Sequence, residues 1–248
     1  MMTSKNPLLG TLWPMTKYFT LANFRKLKSR DQRRWMDGRN EYLMRWASTT
    51  MRSLGVEVEV IGEVPRDVHG IYVGNHISYL DIPLLCSQIP VIFIAKKELA
   101  KWPLIGSCCR LLGTVLVDRS SKESRLQSAQ LITRKITQDG ENIAVFPSGT
   151  TSINEHMEWR RGSFRISKQY SVPIIPFRID YSPRRAAAYI DNDVFVSHIH
   201  RLRQVPKIKA TIEFGSPRVV QDIDQEVRQV RDWCREPLLA SPGGDLLH

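Results

Sequence analysis

Cysteine is scarce in this chain of 248 residues, which contains Cys86, Cys108, Cys109 and Cys234. These cysteines form no Cys-x-x-Cys pair and no disulfide-rich pattern, so the sequence excludes a disulfide scaffold and fits a reducing compartment. Cysteines and histidines also do not occur together at the spacing of a metal ligand set. No metal site is therefore expected.

Long hydrophobic runs are also missing. Residues 7–24 mix aromatic and aliphatic side chains with Pro14, Lys17 and polar residues, which is too interrupted for a transmembrane helix and unlike a signal peptide. A basic run, RKLKSRDQRR, follows at 25–34. The two stretches predict an interfacial helix or hairpin with cationic flanks. The alternative is that the aromatic residues cover the core while the basic run is a solvated helix face.

Acidic residues are outnumbered by basic ones. The chain contains 25 Asp and Glu and 36 Lys and Arg, which gives a net charge of +11. Residues 1–50 hold ten Lys or Arg and three Asp or Glu, and so carry +7 of it. Such a segment can bind anionic lipid, an acidic carrier protein or nucleic acid. No nucleic-acid recognition module is present, so nucleic acid is not expected.

The order of apolar segments predicts the fold class. Helical patterns at 41–54 and 123–137 alternate with strand-like runs at 56–60, 71–73, 91–95, 112–117, 141–146, 172–179 and 209–214. This alternation favours an α/β domain with a central sheet flanked by helices. We expect this domain at 51–235, after a basic, aromatic, membrane-interacting segment at 1–50. A flexible tail is expected at 236–248, which contains two Pro and two Gly.

A histidine and an aspartate follow the short strand at 71–73, in the stretch GIYVGNHISYLDIPLL. Gly74 and Asn75 end the strand, and a helix is expected from about Asp81 with Pro83 in its first turn. In such a turn Asp81 can accept a hydrogen bond from one ring nitrogen of His76 and leave the other free as a base. The alternative is a bond that merely secures the turn.

Four blocks in this order then carry a family resemblance: NHISYLD at 75–81, KKELAKWPLIG with a later VDR at 96–119, FPSGTTS at 146–152, and VPIIPF at 172–177. Together they resemble the 1-acylglycerol-3-phosphate acyltransferases, a family of lysophospholipid acyltransferases. The resemblance implies an acyl donor carried by coenzyme A or acyl carrier protein, with no further cofactor. It also implies that the acceptor is lysophosphatidic acid or a related lysophospholipid, and that the enzyme works on the cytoplasmic face of an anionic membrane as a peripheral or monotopic protein.

The resemblance also implies roles for individual residues. His76 is the expected general base and Asp81 its orienting partner. Lys96 is the preferred cation for the tetrahedral oxyanion, with Lys97 as the alternative. Arg119 is expected to hold the acceptor phosphate. The loop residues Ser148, Gly149, Thr150 and Thr151 are expected to contact the acceptor headgroup.

The loop departs from the family pattern, which is typically FPEGTR. Ser148 stands at the glutamate position and Thr151 at the arginine position, so one negative and one positive group are missing. An altered headgroup preference is the favoured interpretation, and a catalytically impaired lipid-binding protein is the alternative. Arg160, Arg161 and Arg165 either replace part of the lost charge or form a solvated basic face.

Overall fold

A computed structural model describes residues 16–24, 32–101, 109, 113–118 and 122–240. Within them, one sheet contains β1 (Val56–Ile61), β2 (Ile71–Gly74), β3 (Ile92–Lys96), β4 (Val115–Val117), β5 (Ile143–Val145), β6 (Ile174–Ser182) and β7 (Ile208–Phe214). The strand order is β1-β7-β6-β2-β5-β3-β4. The predicted α/β class with a central sheet is confirmed.

Most neighbouring strands in this sheet are parallel, and β6 and β7 form the antiparallel pair. Strands β2 to β6 therefore all end at the same edge of the sheet. In open α/β sheets, ligands bind at the carboxyl ends of the strands. Because the parallel pairs meet in register, this edge brings together the segments that follow β2, β3, β4 and β5.

Helices cover both faces of the sheet. They are α1 (16–24), α2 (Gln32–Ser53), α3 (Asp81–Gln88), α4 (Lys122–Thr137), α5 (Gly162–Tyr170), α6 (Arg184–Ala187), α7 (Phe195–Leu202) and α8 (Ile223–Ala240). Alternate side chains of the fully buried strand β2 point to opposite faces, as a two-residue period requires. Tyr72 packs in the core formed with α2 and α3, whereas Ile71 and Val73 pack in the core formed with α4, α5 and α8.

Helix α2 packs into the folded unit, although most of it lies within the expected membrane-interacting segment at 1–50. Its Leu43, Ala47 and Met51 are buried in the same core as the sheet. Arg39 is also buried, and its guanidinium makes two hydrogen bonds to the Glu141 carboxylate just before β5. The folded unit therefore includes α2.

The predicted tail at 236–248 overlaps the last helix. Helix α8 runs to Ala240 with Pro237 inside it, so residues 236–240 are helical. Arg184 donates hydrogen bonds to the carbonyls of Pro237 and Leu238, and Leu238 is buried. These bonds satisfy two carbonyls at the helix end, which have no partner within the helix. Residues 241–248 lie outside the described part of the chain.

Among the helices described, none is both long enough and apolar enough to cross a bilayer. Two buried side chains of α1, Phe19 and Ala22, pack towards Trp35 and Trp46 of α2. On the exposed side of α1, Leu21 and Phe24 are accessible to solvent. The basic run at 25–34 is described only from residue 32 onward.

Candidate active site

The structure brings His76 and Asp81 together at the end of β2. His76 Nδ1 lies 2.7 Å from Asp81 Oδ2, across the turn that leads into α3. Asp81 is fully buried as the first residue of that helix, where a carboxylate interacts favourably with the helix dipole. The contact is the one expected from the sequence.

Asp81 is held as a hydrogen-bond acceptor on both oxygens. Oδ2 also accepts the backbone N–H groups of Ile77 (2.7 Å) and Ser78 (3.0 Å), and Oδ1 accepts the Tyr181 hydroxyl (2.8 Å). Burial beside Asp81 raises the pKa of Tyr181 well above its usual value, so the phenol stays protonated and donates. The Asp81 carboxylate therefore accepts a hydrogen bond from the His76 Nδ1–H, which leaves Nε2 with a free lone pair.

Two small or polar residues before His76 fix the direction of the turn. A Cβ at Gly74 would lie 2.4 Å from the Phe177 carbonyl oxygen, so only glycine fits where β2 passes β6. Asn75 is fully buried, and its amide accepts from the Ile179 N–H and donates to the Ile179 carbonyl, each at 2.8 Å. These contacts position His76 beside β6.

The loop after β5 packs directly on His76. The Phe146 ring stacks on the imidazole with centroids 4.0 Å apart and planes 10° apart, and the Ser152 N–H donates to the His76 carbonyl at 2.7 Å. Gly149 has a φ of 73°, in the left-handed region that favours glycine. The imidazole is thus held on one side by Asp81 and on one face by Phe146.

The four loop residues predicted to contact the headgroup have different surroundings. The hydroxyls of Ser148 and Thr151 donate to the carbonyls of Thr150 and Tyr189 respectively. Gly149 lines the cavity beside His76, and Thr150 is exposed to solvent. The serine and threonine at the two altered positions thus hold the loop itself.

Glu155 is a site residue that sequence reasoning missed. It is fully buried, and Oε2 accepts the His76 N–H at 3.1 Å while Oε1 accepts the Trp159 indole N–H at 2.7 Å. Burial raises the pKa of Glu155, and the N–H donors of Trp159 and His76, together with the adjacent Ser148, oppose this effect. A glutamate three residues past the FPSGTTS block carries no recognisable spacing signal.

A cavity of about 520 Å³ opens beside His76. Its described wall is largely aliphatic and comes from β2 to β5, α4 and α5, with Ile71, Ile94, Val117, Ile132, Val145 and Ile166. His76, Gly149 and Arg160 also line it. The arrangement places a nitrogen base and a guanidinium on an apolar cavity, which suits an amphipathic substrate.

The remaining predicted residues are less fully described. Lys96 is the last residue of β3, at the edge where β2 and β5 also end, but its side chain lies outside the described atoms, and so does the whole of Arg119. Lys97 is exposed in the 3₁₀ turn that follows. Among the other basic candidates, Arg161 pairs with Asp224 at 2.6 Å, and Arg165 is exposed.

Among the described residues, His, Cys, Asp and Glu side chains form no cluster that could hold a metal ion. Such a cluster needs at least three ligands close together. The chemistry described above is that of a histidine base and an oriented carboxylate. The carboxylates of Asp81 and Glu155 are instead occupied by N–H and O–H donors.

Comparison with known proteins gives a consistent result. A model of the Acyltransferase family matches residues 55–180. The chain is 32% identical over 185 residues to the lyso-ornithine lipid O-acyltransferase of Pseudomonas aeruginosa, covering 73% of this chain and 70% of that one. It is 30% identical to the 1-acyl-sn-glycerol-3-phosphate acyltransferase of Cocos nucifera, covering 70% of this chain and 53% of the relative.

The fold also has a solved counterpart. The crystal structure of the 1-acyl-sn-glycerophosphate acyltransferase PlsC from Thermotoga maritima superposes with a TM-score of 0.73. The match covers 96% of this chain and 97% of that one, at 22% sequence identity. At that identity the likeness concerns the fold.

Proposed function

This chain belongs to the Acyltransferase family, and on that premise we propose that it transfers an acyl group from a thioester to the hydroxyl of a lyso-lipid. The observation that carries the proposal is the His76 ring, whose Nδ1 is held by buried Asp81 while the ring lines an apolar cavity. The donor is carried by coenzyme A or acyl carrier protein, and no other cofactor takes part.

The reaction proceeds without a covalent acyl-enzyme. His76 Nε2 takes the proton of the acceptor hydroxyl as its oxygen forms a bond to the thioester carbon. The tetrahedral oxyanion then collapses, the carbon–sulfur bond breaks, and the imidazolium returns the proton to the leaving sulfur. Asp81 keeps the ring in the required tautomer and stabilises its positive charge in between.

The cationic groups after β3 and β4 complete the reaction site in this proposal. Lys96 stabilises the oxyanion, with Lys97 as the alternative, and Arg119 binds the polar end of the acceptor. Support comes from the sheet, because β2 and β3 end at one edge, so Lys96 and Lys97 follow β3 at the edge where His76 follows β2. The aliphatic cavity wall holds the acyl chain.

The acceptor is a lyso-ornithine lipid or a similar lipid with an amino-acid headgroup. The loop lacks the glutamate and arginine of the FPEGTR pattern, and the hydroxyls of Ser148 and Thr151 donate to the carbonyls of Thr150 and Tyr189. A relative of this chain is a lyso-ornithine lipid O-acyltransferase. Lysophosphatidic acid is the second candidate, because other relatives are 1-acyl-sn-glycerol-3-phosphate acyltransferases.

The protein works as a peripheral or monotopic enzyme on the cytoplasmic face of an anionic membrane. The support is the net positive charge of residues 1–50 and the exposed Leu21 and Phe24 of α1. Cationic segments bind anionic lipid, and apolar side chains beside them enter the headgroup region. Both substrates carry long chains, so a membrane surface is where they meet.

The test is a panel of acyl-coenzyme A and acyl carrier protein donors, each combined with lyso-ornithine lipid or lysophosphatidic acid and analysed by lipid mass spectrometry. We expect O-acylation, with lyso-ornithine lipid preferred. A preference for lysophosphatidic acid would support the proposed acyltransferase activity but contradict the proposed acceptor. Lipid binding without any product would instead support the impaired lipid-binding alternative.

A further inference from the structure

Glu155 is a buried carboxylate that the reaction above leaves without a role. Its side chain reaches the His76 N–H on one oxygen and the Trp159 indole on the other, and its exposure is 0%. Its φ of 47° lies in the left-handed region, which a non-glycine residue seldom adopts. The backbone at Glu155 thus adopts an unfavourable conformation, and this conformation brings the carboxylate to the backbone N–H of His76.

We propose that Glu155 is a positioning residue for His76 and supplies, from seven residues downstream, the carboxylate that the family pattern places at position 148. The inference deepens the proposed function and rests on it. Ser148 lies close enough to the Glu155 carboxylate to help lower its pKa, so the serine at the family's glutamate position is a neighbour of the proposed substitute. A side chain as small as serine at 148 leaves room for Glu155.

Two carboxylates position different parts of His76. Asp81 binds the imidazole through Nδ1 and so sets the tautomer and the plane of the ring. Glu155 binds the backbone N–H of the same residue and so sets the position of its Cα. Buried carboxylates are seldom retained without partners, and here both oxygens of Glu155 receive an N–H donor.

His76 and the Glu155 carboxylate also interact electrostatically, which lowers the pKa of Glu155 against the larger effect of burial. In its ionised form this carboxylate favours the protonated imidazole, which forms as the acceptor hydroxyl is deprotonated. Among the described residues, Asp81 bonds the ring itself, Glu155 bonds the backbone of the same residue, and Arg160 lines the same cavity as His76. Glu155 itself also faces the buried thiol of Cys234, whose pKa burial raises, so that the thiol stays neutral.

The first test is Glu155→Gln, with Glu158→Gln as the matched control because Glu158 is exposed in the same segment. We expect Glu155→Gln to lower kcat by between about 10-fold and 100-fold. Because a negative charge is lost, the acid limb of the kcat/KM profile moves to lower pH by about 0.5 to 1 unit. The control keeps the wild-type rate and profile. A folded Glu155→Gln enzyme with wild-type kcat and an unmoved profile overturns the proposal.

The second test moves the carboxylate. Glu155→Ser is expected to lose turnover, and Ser148→Glu alone to lose stability because two carboxylates meet in one buried site. The double variant Ser148→Glu with Glu155→Ser is expected to turn over at least ten times faster than Glu155→Ser alone. If the double variant is folded but no faster than Glu155→Ser, the carboxylate is not exchangeable and the proposal fails. If Glu155→Gln does not fold, the comparison of the double variant with Glu155→Ser still tests the proposal.

An NMR titration of the His76 ring separates this inference from the proposed function, since it needs no substrate. In Glu155→Gln the ring should lose its proton at lower pH than in the wild type, and in Glu158→Gln at the same pH. An unmoved titration contradicts the inference even if the enzyme is active. A wild type that turns over no donor and acceptor pair, yet shows the titration shift, contradicts the proposed acyl transfer alone.

Discussion

At the residue scale, the candidate site depends on one imidazole held from several directions. Asp81 fixes Nδ1, Phe146 covers one ring face, and Glu155 and Ser152 bind the backbone N–H and carbonyl. Each contact removes a rotation or a translation of His76. A base held in this way loses little further conformational entropy when the acceptor hydroxyl binds.

Replacing His76 with Ala should lower kcat/KM by on the order of 10²–10⁴, because the proton acceptor is gone. Asp81→Asn should also impair turnover, since an amide facing Nδ1 favours the wrong tautomer. Steady-state kinetics measures both changes. His69→Ala is the control, because His69 is exposed. Wild-type rates in a folded His76→Ala protein would reject the assigned base.

Thr151 is expected to affect the choice of acceptor. Thr151→Arg restores the family's cation and should raise the efficiency for lysophosphatidic acid relative to lyso-ornithine lipid. Since the change also removes the hydroxyl bond to Tyr189, Thr151→Val serves as the control for that loss. The measurement is the ratio of kcat/KM for the two acceptors. An equal ratio in wild type, Thr151→Arg and Thr151→Val means that position 151 does not select the acceptor.

At the scale of elements, α2 is joined to the start of β5 by a buried ion pair. Arg39 Nη1 lies 2.8 Å from Glu141 Oε1, and the two side chains are only 6% and 7% exposed. Glu141 lies just before Ile143, the first residue of β5. The pair therefore fixes where the long helix crosses the sheet.

Glu141→Gln leaves the Arg39 charge buried without its partner and should lower the free energy of unfolding by about 3–5 kcal/mol. The double variant Arg39→Met with Glu141→Leu should lose less free energy of unfolding than Glu141→Gln, because it leaves no buried charge without a partner. Chemical denaturation measures both values. Glu41→Gln is the control on the same helix, where the exposed Arg45 pair is worth about 1 kcal/mol or less. Equal costs at Glu141 and Glu41 would contradict the prediction.

At the scale of the whole molecule, positive charge is concentrated at the N-terminal end. We expect Arg25, Lys26, Lys28 and Arg30, changed together to Gln, to weaken binding to anionic vesicles, because each cation contributes about 1 kcal/mol at such a surface. Co-sedimentation at low and high salt measures the loss, which should be largest at low salt. Neutral vesicles are the control. If the variant binds anionic vesicles like the wild type at every salt concentration, this run is not the anchor.

By itself, the sequence determined the class of the fold, the order of its strands along the chain and the pairing of His76 with Asp81. These follow from local patterns: apolar runs, a glycine and a proline that mark strand and helix ends, and two residues that share one turn. The residue types around the site also indicated the chemistry. Local spacing carries such features because the groups concerned are few residues apart.

Only the tertiary structure decided which distant groups meet. The antiparallel docking of β7 on β6, the burial of α2 and the Arg39–Glu141 pair join segments far apart in the chain. Glu155 reaches His76 across 79 positions, through a left-handed residue that no periodicity marks. Such contacts depend on how the sheet and its helices pack, because the free energy of burying a charge or a side chain is set by its neighbours in space.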